Sequence, residues 1–401
     1  MMPDQLRGLP SVLARCEAYT LPEETKAAGL YAFFRPSAQT TATEALVEGA
    51  WRIMVGSNNY LGLTHHPHVL EAQHAALERY GSGSTGSRWL NGTLDLHEEL
   101  EARLATLLRK EAALVFTTGY QASLGAVSGF IGRDDHLFLD KLDHASIVDG
   151  ARLAAGQVHR YNHGDFDQLE RRLANAPEGA GKLIVSDGIF SMEGTIVDLP
   201  RLARIARHHG AALLIDDAHA LGVLGDDGAG TARHFGLDDD VDLVMATFSK
   251  SLASVGGVVA GAAAAISYLR HHSRALMFTA SAPPAAVAGA LAALDVMADE
   301  PERRERLWSN THRMANGLRS LGFDLGGSET PIIPVLVGEL TRTLQVWRAL
   351  FDDGVFAHPI LPPAVGPSSC RIRVSVSAEH TDEQIDRVLE AFARVRGLIL
   401  G

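Results

Sequence analysis

The chain has 401 residues, 46% hydrophobic and 21% charged, an ordinary globular composition with length for a large core and two domains. Its net charge of −12 argues against a nucleic-acid surface, and Cys16 and Cys370, far apart and in no CxxC spacing, indicate neither a disulfide framework nor a zinc or other metal site. Small-molecule chemistry in a reducing cytoplasm is the expectation. Asp4 and Arg7 interrupt the apolar residues of the N-terminus, which lacks the pattern of a signal peptide. The most apolar long segment, Pro284 to Met297, is too short to cross a bilayer and reads as a buried helix, so no transmembrane segment is expected.

Residues 1–50 read as an N-terminal arm, 51–283 as a large domain and 284–401 as a smaller C-terminal α+β domain. Arg52 to Val55 has the texture of a strand, Ser57 to Gly62 of a turn, and Val69 to Tyr80 of a helix. The following Gly81-Ser82-Gly83-Ser84-Thr85-Gly86 matches G-x-G-x-x-G, but a helix rather than a strand enters it, and Ser87 to Thr93 is loop-like before the next helix, Leu94 to Leu108. That context argues against a dinucleotide site and for a hydroxyl-rich loop bordering some other one. Between 113 and 262 seven short apolar runs alternate with helical stretches: Ala113–Phe116, His136–Leu139, Val158–Tyr161, Lys182–Ser186, Ala211–Ile215, Val241–Met245 and Gly257–Ala260. This is an α/β pattern, a mostly parallel seven-stranded sheet covered by helices. Asp198, Pro200 and Gly210 delimit one of those helices, and the capping box Thr381-x-x-Gln384 opens the last long one.

In such folds ligands gather beyond the carboxyl ends of the strands, so the polar residues there are the candidates. Lys250 follows Val241–Met245 among small and hydroxyl residues, where lost solvation would lower its pKa and make the amine a Schiff-base nucleophile. Asp216 ends its strand where its charge needs a cationic partner such as a protonated pyridine nitrogen. Thr117-Thr118-Gly119-Tyr120 enters a helix whose N–H groups can cradle a phosphate. His144 offers an imidazole to stack on a planar ring, and the segment from Asp187 to Gly194 brings hydroxyl groups, Ser191 included, to the same edge. Singly, each also reads as an ordinary strand end or cap, as do His65, His66, His68, His208 and His209.

Taken in order, SNNYLGL, NGTLDLHEELE, DHASIVDG, DGIFSMEG, IDDAHALGVLG and TFSKSLASVGG resemble the α-oxoamine synthases, a family of fold-type-I pyridoxal 5'-phosphate (PLP) transferases, from about Trp51 to the C-terminus. The resemblance implies PLP as cofactor, with Lys250, His144, Asp216 and His219 as catalytic residues. Lys250 is then the lysine bonded to the cofactor, Asp216 the partner of the ring nitrogen, His219 the partner of the ring hydroxyl and His144 the stacking histidine. Gly119, Tyr120, Ser191 and Thr247 complete the cofactor site, with Thr279 or Ser281 reaching the phosphate from a neighbouring subunit, which implies a homodimer with shared sites. Arg373 matches the arginine for the substrate carboxylate and Asn58 its helper. Arg371 is expected on the opposite face of the strand.

The family's reaction joins an amino acid to an acyl thioester, carried by CoA or an acyl carrier protein, and releases carbon dioxide. Gly81 to Thr93 and Thr247 to Ser254 look most like bacterial members that use L-serine and a long-chain acyl thioester. Members joining alanine to a pimeloyl thioester, or using a carrier-bound chain, are the rivals, and a fold-type-I aminotransferase is the rival outside the family. A non-enzymatic binding protein would require an unreactive Lys250. A cytoplasmic protein is expected, with peripheral association at the inner membrane the one membrane role left open.

Overall fold

The computed structural model describes residues 11–401, so Asp4 and Arg7 lie outside the described residues. Its centre is a seven-stranded sheet in the order Ala112–Phe116, Gly257–Gly261, Leu243–Thr247, Ala212–Asp216, Lys182–Asp187, His136–Asp140 and Gln157–Tyr161. Six of these strands run in one direction, and Gly257–Gly261 is antiparallel to both its neighbours. The continuous aliphatic runs have the expected cause: helices cover both faces, so successive side chains enter two cores in alternation. Val244 and Ala246 pack on one side with Ile184 and Leu213, while Leu243 and Met245 pack on the other with Val185 and Leu214.

Local chemistry sets the helix ends. The Asp198 carboxylate accepts from the Arg201 N–H at 3.1 Å, opening Leu199–His209, and Gly210, at φ +60°, closes it. The Thr381 and Gln384 side chains cap reciprocally, opening Asp382–Arg394. Helix Pro67–Tyr80 leads into the glycine loop.

Hydrophobic packing divides the chain differently from the expected boundaries at 50 and 283. Helix Pro284–Asp299 buries Val287, Ala290, Leu294 and Met297 in the same cluster as Tyr60, Leu100 and Val244, so it belongs with the large unit. His66 and His68 tie the neighbouring helix to it through Glu300 and Asp295, both at 3.2 Å. The arm is not separate either. Strands Ser37–Thr40, Glu44–Val47 and Ala50–Met54 form a four-stranded sheet with Val355–Phe356, and Ala45, Val47 and Ile53 share a core with Trp347, Leu350 and Ile372. The change of texture at Pro284 marks where strands give way to helices, not where one core ends. The second unit is completed by an antiparallel sheet in the order Ile332–Gly338, Cys370–Ser375 and His358–Ile360. Among the described residues no helix is long and apolar enough to cross a membrane.

Gly257 sits at the carboxyl edge of the large sheet, level with Phe116 and Thr247. A Cβ there would lie 2.6 Å from the Gly119 Cα and 2.9 Å from the Thr118 carbonyl oxygen, backbone that cannot step aside. Gly257→Ala is expected to cost about 1–3 kcal/mol in chemical denaturation, the usual scale of overpacking. Gly397→Ala, in helix Arg396–Leu400 with open space around it, is the control and should raise stability by up to about 1 kcal/mol.

Candidate active site

The parallel strands end together, and beyond their ends lies a cavity of about 310 Å³. Its wall comes from five strand ends and the chain that follows each: Gly119 and Tyr120, His144 and Ser146, Asp187 and Ile189, Asp216 and His219 where strands lead to helices, and Thr247 and Lys250 where Leu243–Thr247 leads to the antiparallel strand.

One wall is electrostatic. Register places Asp187 opposite Asp216 on adjacent strands, both nearly fully buried. Asp216 is held in place by the Ala218 N–H, which donates to Oδ1 at 2.9 Å, and the Ser123 hydroxyl, which donates to Oδ2 at 3.2 Å. Lys250 lines the cavity with the rest of its side chain packed in protein. Loss of water lowers its pKa to about 8, although Asp216 and Asp187 pull the other way. Burial, with Asp216 and Asp143 nearby, pushes the Asp187 carboxyl well above the usual carboxylate range. Amine and carboxyl both move toward neutrality, so desolvation outweighs their attraction. Asp217, next in sequence to Asp216, is engaged elsewhere: it accepts from the Thr231 N–H and hydroxyl at 2.9 and 2.6 Å, and burial raises its pKa to about 7.

The opposite end suits an anion. Helix Gly119–Phe130 begins with N–H groups that have no intrahelical partner, and the Thr118 side chain, accepting from the Gln121 N–H at 3.2 Å, leaves those of Gly119 and Tyr120 at the cavity wall. A Cβ on Gly119 would lie 2.5 Å from Thr247 Oγ1, so only glycine lets the turn approach this closely. Thr247 and Ser249 hydroxyls are 3.0 Å apart beside it. His144 caps helix Ala145–Leu153, its Nδ1 2.7 Å from the Ser146 hydroxyl, with its ring on the cavity. Lost hydration lowers its pKa, with Asp216 opposing.

At the junction of the two units, Arg373 donates to Asn58 Oδ1, and its buried Nε has no partner among the described residues. His358 faces Arg373 in register across the strand pair, and its ring packs so tightly on Gly56 that a Cβ there would meet it at 2.5 Å. Arg371 corrects the expectation for that strand. Residues two apart in an extended strand share a face, so alternation does not separate Arg371 from Arg373. What separates them is engagement: Arg371 donates to the Ser369 and Met192 carbonyls at 3.0 Å each and pairs with Glu193 at 3.3 Å, while Arg373 keeps donor capacity free.

Not every candidate reaches the cavity. Ser191 is buried but does not line it, and Asn58 and Arg373 do not line it either. Thr279 and Ser281 lie apart from it in their own chain, where Gln121 donates to the Thr279 hydroxyl at 3.1 Å and the Ser281 and Ser84 hydroxyls are 2.6 Å apart. Conversely, Asp187, Ile189 and Met245 line the cavity and Tyr60 bonds to His219, with no role foreseen for any of them. Asp187 ends its strand as Asp216 does, and that was the available signal.

A phosphorylated pyridine aldehyde fits this donor set: helix N–H groups and hydroxyls for the phosphate, Asp216 for the ring nitrogen and a lowered-pKa amine for the aldehyde. Three comparisons agree. The family model for aminotransferase class I and II matches residues 52–392. A curated serine palmitoyltransferase of Sphingobacterium spiritivorum is 51% identical over 381 residues, 95% of this chain and 96% of that protein. An 8-amino-7-oxononanoate synthase of Thermoanaerobacter pseudethanolicus is 40% identical over 374 residues, 93% of this chain and 95% of that protein. A solved structure of serine palmitoyltransferase with PLP superposes with a TM-score of 0.94 at 35% identity, covering 98% of this chain and 100% of that one.

The lowered pKa of Lys250 makes a prediction for the cofactor-free protein. Its reaction with a small aldehyde should rise with pH and level off above about 8, where the amine is free, whereas an ordinary lysine would climb toward about 10.4. Lys250→Ala should remove the component that levels off near 8, read by mass spectrometry of the reductively trapped adduct.

Proposed function

The chain belongs to the α-oxoamine synthases, PLP-dependent acyltransferases within the aminotransferase class I and II family, and from that premise we propose that it condenses L-serine with a long-chain acyl thioester. The products would be a 3-keto long-chain base, carbon dioxide and free thiol. The observation that carries this reading is the lowered-pKa lysine that shares one cavity with Asp216. Arg373, whose buried Nε has no partner among the described residues, does not line that cavity but lies near enough to disfavour a charge on Lys250 and His219.

PLP supplies an electron-poor ring that takes up the electron pair released when a bond to the amino acid's α-carbon breaks. We assign the roles of the chain from the resemblance together with the lining of the cavity. Gly119, Tyr120 and Thr247 would hold the phosphate, Asp216 would keep a proton on the ring nitrogen, His144 would cover the ring and His219 would serve its hydroxyl. The Lys250 amine, at a pKa of about 8, takes the proton from the α-carbon and later returns one. Arg373, helped by Asn58, holds the amino acid's carboxylate through a planar fork. A carbon–carbon bond then forms between the α-carbon and the thioester carbonyl, the thiol leaves, and the carboxylate departs as carbon dioxide.

We further infer a homodimer with shared sites. Thr279 and Ser281 stand away from their own cavity beside large exposed apolar side chains, Phe278 at 71% and Leu90 at 77% exposure, as a surface for a second copy would require. A cytoplasmic location accords with an exposed Cys16 and a buried Cys370, both unpaired.

Thiol release from acyl-CoAs of several lengths, with serine, alanine, glycine or threonine, tests the substrate. A site that hydrogen-bonds the serine hydroxyl should discriminate against alanine by about 10⁴-fold in kcat/KM. Alanine with a pimeloyl thioester as the better pair would move the assignment to the oxononanoate reaction, which the 40% identical relative carries in its name. Arg373→Lys should raise the KM for the amino acid by at least about tenfold and leave that for the acyl thioester nearly unchanged. Sedimentation should give a dimer, and a fully active monomer would overturn the shared-site reading.

A further inference from the structure

We propose that Tyr60 is a positioning residue: its hydroxyl holds His219 in the tautomer that carries its proton on Nε2, the nitrogen left for the cofactor's ring hydroxyl. The proposal rests on the reading of His219 as the group that meets that hydroxyl.

Tyr60 lies in the turn Ser57 to Gly62, at 1% exposure, within the core of the large unit. Its backbone is pinned by the chain that leaves strand Cys370–Ser375, for its carbonyl accepts from the Ala378 N–H at 2.7 Å. Its hydroxyl is 2.7 Å from His219 Nδ1 and 3.4 Å from Asn58 Oδ1. A phenol has a single proton to give. Asn58 Oδ1 already accepts from Arg373, and at 3.4 Å it is too far from the Tyr60 hydroxyl for a good O–H donor. The short contact is to His219, so the Tyr60 proton goes there and Nδ1 is the acceptor.

Two further features make this arrangement stable. Burial raises the Tyr60 pKa, so the phenol stays protonated. Burial also lowers that of His219 well below the ordinary value, with Lys250, Arg373 and His144 adding repulsion, so the imidazole is neutral with one N–H. With Nδ1 accepting, that N–H must be on Nε2. His219 lines the cavity, and an Nε2–H there would donate to a phenolate oxygen, which the other tautomer, offering only a lone pair, could not serve. The same turn carries Asn58, which accepts from Arg373, so one segment of chain positions both His219 and the Arg373–Asn58 pair.

The test uses nitrogen-15 NMR of histidine-labelled protein without cofactor, the His219 signals assigned by their loss in His219→Asn. The expected result is a protonated Nε2 and a bare Nδ1 in the parent protein, and a mixture of tautomers in Tyr60→Phe. PLP binding, followed by absorbance, should weaken about two- to tenfold in Tyr60→Phe, the scale of one lost neutral hydrogen bond. A protonated Nδ1 in the parent overturns the proposal even if the phenylalanine variant does not fold. So does a Tyr60→Phe protein with unchanged tautomer and unchanged PLP affinity. Neither readout uses an amino acid or a thioester, so a wrong substrate assignment would leave both intact.

Discussion

Taking the Lys250 ammonium out of water costs more than Asp216 and Asp187 return, and the rest of the site depends on that imbalance. In water the two carboxylates would hold the amine protonated. In the cavity, where both lie nearly fully buried, desolvation moves Lys250 down and Asp187 up, so the groups approach neutrality instead of forming a stable ion pair. A fully compensated pair would be inert. The parallel sheet makes the arrangement possible, because register sets Asp187 and Asp216 level and ends Leu243–Thr247 beside them, three residues before the lysine. No flexible loop has to find this geometry.

The phosphate end obeys a steric constraint instead. Phe116, Gly257 and Thr247 stand side by side at the sheet edge, and the turn at Gly119 is pressed against the last two. Two glycines are required there, one in the turn and one in the antiparallel strand behind it, because any side chain would drive the helix N-terminus away from the cavity. The antiparallel strand thus does more than extend the sheet: it supplies a flat backing against which N–H groups are aimed.

How much of this was legible depended on how local each cause is. The inner strands could be read because uninterrupted apolar runs are what burial on both faces demands, whereas the edge strand Gln157–Tyr161 is mostly exposed; helix Leu199–His209 could be read because Asp198, Pro200 and Gly210 announce it within a dozen residues. Strands Ser37–Thr40 and Glu44–Val47 could not, being short, with the first wholly exposed, and completed by Val355–Phe356 some three hundred residues away. Lys250, Asp216 and His144 were legible at strand ends, where chemistry and topology coincide. Asp187 offered the same signal. Tyr60 offered none, since a tyrosine in a turn reads as packing until the fold brings His219 to its hydroxyl. Arg371 and Arg373 share a face, and only their partners, both distant in sequence, tell them apart.

The strand Ala50–Met54 pairs with Val355–Phe356, and the turn that follows it is anchored by Ser375 and Ala378, which donate to the Val55 and Tyr60 carbonyls. On the ribosome this turn emerges early and its partners emerge last. The large sheet can assemble while synthesis continues and offers Tyr60 its place beside His219, but the Val55 and Tyr60 carbonyls have no donors until nearly the whole chain is out. The contacts made by Ser375 and Ala378 therefore close only when translation is almost finished, and a chain cut short before Cys370 keeps Lys250, Asp187, Asp216 and the turn at Gly119 yet lacks the strand that carries Arg373.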